Sequence, residues 1–139
     1  MPADAPAPAI TKSIGIDCSP DVVFDFVADG ANWPRFAVVN VQATRPSSEP
    51  GWWDMDTPRG PGRLRILGER EAGILDHEFR NEEAEWRVPA RVVPNGRGAE
   101  FMMTFFKPPA FSDQFFAQQI DLVDIELAKL KEILEAGIQ

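Results

Sequence analysis

The chain has 139 residues, 44% of them hydrophobic and 26% charged, with 22 acids against 14 bases for a net charge of −8. That length suits one domain whose core needs no staples, and the acidic balance excludes nucleic acid as a natural partner. The single cysteine, Cys18, and the single histidine, His77, exclude an intramolecular disulfide, a cysteine zinc cluster and a multi-histidine metal site.

Residues 1–9 alternate Pro and Ala with neither a basic start nor an apolar run, so they read as an extended or disordered lead-in to a single domain over 10–139. No stretch reaches 18 apolar residues, so membrane insertion is not expected and a cytoplasmic location is. Ile10, Ile14 and Ile16 recur at even spacing and predict a strand with one apolar face. Ser19-Pro20-Asp21 then supplies a cap, a preset φ and a first-turn acid for a short helix buried through Val23, Phe24 and Val27. Asp29-Gly30 ends it, and Asn32-Trp33-Pro34 begins a second helical turn leading to Phe36.

From Val38 to Phe106 the period changes to two, with turn signals about every ten residues. Six strands are predicted, over 38–45, 52–57, 63–69, 74–80, 84–93 and 99–106; such short connections allow only antiparallel neighbours. Near the end, Ser112 can cap a helix whose apolar face is Phe116, Ile120, Val123, Leu127, Leu130 and Leu134, with Gly137 as its stop. Glu126, Lys129 and Glu132 are expected to stay wet. A helix of about 25 residues is roughly 37 Å long, against about 27 Å for an eight-residue strand, so it must cross a bent sheet obliquely. The fold class is therefore α+β: a curved seven-stranded antiparallel sheet around a long C-terminal helix, with two short helices after the first strand.

Alternation assigns the strand faces. The inner face is expected to carry Trp53, Met55, Leu64, Ile66, Leu75, His77, Phe79, Trp86, Val88, Phe101 and Phe105. Trp52, Asp54 and Asp56 fall on the other, solvated face, where paired acids are a weak metal signal. His77 is the only titratable group placed inside. It fits a core histidine satisfied by backbone, a hydrogen-bond partner for a ligand, or a general acid or base. Trp33, Trp53 and Trp86 fit either core packing or a stacking surface. Phe111, Phe115 and Phe116 at the helix entrance fit either a fixed hydrophobic anchor, favoured by the stiff Pro108-Pro109 approach, or a mobile gate over the cavity mouth. Arg59 to Gly62 lacks the strand-to-helix setting of a phosphate loop, and no cofactor is expected.

Ile14 to Val27 (IGIDCSPDVVFDFV), followed by Asn32-Trp33-Pro34, resembles the entry motif of the START-like, or SRPBCC, superfamily with its helix-grip fold. Gly73 to Phe79 (GILDHEF) and Val88 to Gly96 (VPARVVPNG) look like its bacterial polyketide-cyclase-like branch. The resemblance covers about residues 10–136 and implies a cavity between sheet and long helix that holds a small hydrophobic molecule. The inner face lacks the several polar groups a ring-closing enzyme would use, which sets this chain apart from the cyclase pattern. The expected ligand-binding set is Trp53, Met55, Leu75, His77, Phe79, Trp86, Val88, Phe101 and Phe105 on the sheet with Phe116, Ile120 and Val123 on the helix. Three functions compete: a carrier or sensor for an apolar ligand, a cyclase- or dehydratase-like enzyme using His77, and an interaction domain with a filled cavity. Either a monomer or a homodimer is compatible.

Overall fold

The computed structural model describes residues 5–82 and 85–137. Residues 1–4 of the expected lead-in, and residues 83 and 84 where a turn enters the strand expected over 84–93, lie outside the described residues.

Strand β1 (Ala9–Ile16) is followed by helix α1 (Pro20–Ala28), a 3-10 turn (Gly30–Asn32) and the short helix α2 (Trp33–Phe36). The Ser19 hydroxyl accepts from the Val22 amide, and Asp29 accepts from Ala31 N–H at 3.0 Å to start the 3-10 turn. Seven further strands follow: β2 (Ala43–Pro46), β3 (Trp53–Thr57), β4 (Gly60–Glu69), β5 (Ile74–Arg80), β6 (Glu85–Val88), β7 (Ala90–Asn95) and β8 (Gly98–Phe106). The chain closes with helices α3 (Asp113–Asp121) and α4 (Val123–Glu135). All pairings are antiparallel, in the order β1-β8-β7-β5-β4-β3-β2, with β6 also on β5.

Three local readings are corrected. The strand expected over 84–93 is two strands, because Pro89 has no amide to give a ladder and is tolerated only at an edge or break. The neighbouring Ala90 amide turns aside to Asp76 Oδ1 at 2.9 Å, and β6 stays on β5 while β7 pairs with β8. The strand expected over 38–45 shrinks to β2; residues 37–41 instead form a helical turn, with Val41 N–H on the Ala37 carbonyl at 2.8 Å. The long terminal helix is interrupted at Leu122, where the amides of Leu122 and Ile125 reach the carbonyls of Gln119 and Leu122 in i→i+3 fashion. That tightened turn carries no Pro or Gly, and it breaks the helix into two segments against the sheet.

The core follows from the apolar faces. Val123, Leu127, Leu130 and Leu134 of α4 are buried, as are Leu64, Leu75 and Phe101 of the sheet. Each such side chain contributes about 1.5–3 kcal/mol by leaving water. Trp52 does share the outer face with Asp54 and Asp56, but it is only 5% exposed. The guanidiniums of Arg65 and Arg80 lie over its ring, 4.7 and 4.2 Å from the centroid, and cover it.

Candidate functional site

Sheet and terminal helix enclose a cavity of about 390 Å³. Met55, His77, Phe79, Trp86, Val88, Met103 and Phe105 form its sheet wall, and Phe116, Gln119, Ile120, Leu122, Val123 and Glu126 its helix wall. Trp33, Phe36 and the turn at 37–41 close one side, while exposed Pro58, Arg59 and Phe106 rim the other with Phe111. The Phe111 and Phe115 rings meet edge to face at 4.8 Å, Lys107 Nζ donates to the Phe111 carbonyl at 2.8 Å, and the Arg59 guanidinium lies over Phe115. These contacts hold the helix entrance beside the β3–β4 hairpin.

Among the residues singled out from sequence, Trp53, Leu75 and Phe101 do not reach the cavity. Leu75 and Phe101 are fully buried in the core. Trp53 packs so closely on Gly30 that a Cβ there would sit 2.4 Å from its ring. Trp33, weighed as a candidate but left out of the expected site, is held by an indole N–H donated to the Val27 carbonyl at 2.9 Å. Asp54 and Asp56 pair with Arg63 and Arg45 on the outer face, away from the cavity.

His77 is 1% exposed, its ring edge-on to Trp33 at 4.8 Å and to Phe79 at 5.4 Å between centroids. Burial lowers its pKa from 6.5 to about 4, against the opposing pulls of the Leu75 carbonyl and Asp76, so it is neutral at physiological pH. Its Nδ1 lies 3.1 Å from the Leu75 carbonyl oxygen. A carbonyl can only accept, so the single ring proton sits on Nδ1 and Nε2 is left as a bare acceptor.

Glu126 overturns an expectation. Read as wet, it is 7% exposed and lines the cavity. Its Oε2 accepts from Val39 N–H and Asn40 N–H, each at 3.1 Å, and from Asn40 Nδ2 at 3.4 Å. Burial raises its pKa from 4.5 to about 7, although those Asn40 and Val39 donors favour the charged form. Helical spacing places Glu126 next to Val123 and Leu130, and the 37–41 turn supplies the donors that make its burial tolerable. Among the described residues no hydrogen bond reaches His77 Nε2 or Glu126 Oε1, yet no buried side-chain polar atom lacks a partner. Both atoms are therefore accessible, and both residues line the cavity. The site thus combines aromatic walls with two acceptors, one from the sheet and one from the helix.

No protein-family model matches this chain, and no curated protein does. Solved structures do. The Aha1 dimer from Colwellia psychrerythraea gives a TM-score of 0.75 at 12% identity, over 94% of this chain and 98% of that one. Ara h 8.0201 gives 0.69 at 10% identity, over 94% and 99%. The di-domain ARO/CYC BexL of the BE-7585A biosynthetic pathway gives 0.71 at 20% identity, over 92% of this chain and 46% of BexL. At these identities the likeness is one of fold.

Proposed function

This chain has the helix-grip fold of the START-like, or SRPBCC, superfamily, and on that premise we propose that it binds a small hydrophobic or aromatic molecule between sheet and terminal helix, as a carrier or sensor. The cavity itself carries the reading. Its volume of about 390 Å³ falls within the roughly 300–1,000 Å³ of small-molecule sites. An interaction domain filled by its own side chains would have no such space. Burial of an apolar ligand against Trp33, Phe79, Trp86, Phe105 and Phe116 supplies the affinity, and the acceptors supply orientation.

Native mass spectrometry of freshly purified protein, with a melting-temperature screen of flat hydrophobic compounds and fatty acids, tests the proposal. Ligand at 100 times its Kd stabilises the fold by about 2.7 kcal/mol, and Trp86→Ala should weaken every hit. No co-purified mass and no thermal shift across the panel would end this reading.

A second reading, a cyclase- or dehydratase-like enzyme, draws on one observation: His77 and Glu126 share the cavity, one a bare acceptor and the other a carboxyl titrating near neutrality. Conversion of a bound hit to a new mass, abolished in both His77→Ala and Glu126→Gln, would support it. An unchanged ligand after prolonged incubation would not.

A further inference from the structure

We propose that the ligand of this cavity carries a hydroxyl group on an otherwise apolar body, and that Glu126 selects it together with His77. The inference rests on the binding reading above and narrows it to a chemical class.

The two buried titratable groups on the cavity wall both offer acceptors. His77 has its proton committed to the Leu75 carbonyl, so Nε2 can only accept. Glu126 has Oε2 committed to the Val39 and Asn40 amides, which fixes the carboxyl and leaves Oε1 to the ligand. A buried acceptor that loses water without gaining a donor costs about 1–3 kcal/mol, so a ligand without a donor is penalised wherever it covers either atom. An ether cannot donate: at best it accepts from a protonated Glu126 and leaves Nε2 unpaired, while a carboxylate cannot donate and is also repelled by ionised Glu126. A hydroxyl has one proton and two lone pairs: it accepts from a protonated Glu126 while donating to Nε2, or donates to one of the two acceptors when Glu126 is ionised.

The other polar groups do not reverse this preference. Gln119 carries an amide that can present either end. The lining cations, Arg59 and Arg87, are both exposed, and Arg87 already pairs with Asp76 at 3.5 Å and Glu78 at 3.8 Å. An anionic ligand would have to leave its charge at the solvated rim.

The test is a matched set of probes, 2-naphthol, 2-methoxynaphthalene and 2-naphthoate, titrated calorimetrically into the full chain at pH 7. The expected order is naphthol tightest by about tenfold or more over the ether, with naphthoate weakest. In Glu126→Gln the amide oxygen keeps the Val39 and Asn40 donors and the –NH2 replaces Oε1 as a donor into the cavity. The ether and naphthoate should then gain on naphthol, a reversal that loss of packing alone would not give. Equal affinities, or naphthoate binding tightest to the unmodified chain, overturn the inference while leaving the apolar cavity reading in place. Failure of all three probes to bind overturns the inference, and joined to a silent panel and no co-purified mass it overturns the binding reading too. The ranking on the unmodified chain stands even if the variant does not fold.

Discussion

Replacing Glu126 with Gln removes one proton-binding group from the interior while keeping an oxygen for the Val39 and Asn40 amides. In the native chain Glu126 titrates at about 7 rather than 4.5, so between these values the folded state holds a proton that the unfolded state has released. Stability from this group is then fully present below pH 4.5 and is lost as pH rises towards 7, by about 3 kcal/mol in all. His77 acts in the opposite sense. Its folded pKa is about 4 against 6.5, so its contribution is present above pH 6.5 and is lost as pH falls towards 4. Between about pH 4.5 and 6.5 the two slopes nearly cancel, each being about 1.4 kcal/mol per pH unit. Urea unfolding of both proteins across pH 4.5–8 checks this. The stability difference, variant minus parent, should grow by about 3 kcal/mol from the acid end to the alkaline end, because other titrating groups are common to both. A difference that does not change with pH would refute the burial argument for Glu126.

Leu130→Ala should cost about 2–5 kcal/mol, read by urea denaturation, since the side chain is 0% exposed and its removal leaves a void under the helix. Gly30→Ala should cost about 1–3 kcal/mol and disturb the near-ultraviolet circular dichroism of Trp53, because the new methyl has no room beside the indole; parental stability would contradict that packing. Nitrogen-proton NMR of His77 should find Nδ1 protonated and no charging until the pH is close to 4; a midpoint near 6.5 would place the ring in water. Cutting the chain after residue 111 removes α3 and α4 and exposes the inner sheet, so the fragment should show no cooperative melt.

The architecture was legible because it rests on periodicities that local sequence displays: the even spacing of Leu75, His77 and Phe79, and the helical spacing from Phe116 to Leu134. What escaped depends on partners distant in the chain. Glu126 looks like any surface acid until the amides of Val39 and Asn40, more than 80 residues away, are brought to it. The same turn hid within an apparently alternating strand, since Val39 and Val41 satisfy either reading. Trp52 obeys the alternation that puts it outside, yet arginines from two other strands dry it. Pro89 is a local signal of the split between β6 and β7, as a residue without an amide inside a ten-residue strand demands a break.

The pairing of the first strand with the last has a kinetic consequence. Thr11 and Thr104 join hydroxyls across β1 and β8 at a separation of 93 residues, and Lys12 of β1 bonds Asp124 of α4 at 3.1 Å. A growing chain therefore holds β1 without its sheet partner until nearly the whole domain has been made, and closing that loop costs about 4 kcal/mol in its length-dependent part alone. We expect folding in the slow range of non-local topologies, milliseconds to seconds. Pulse-labelled hydrogen exchange should show β1 amides gaining protection together with those of β8 after the β3–β4–β5 meander is already closed; early protection of β1 alone would contradict that order.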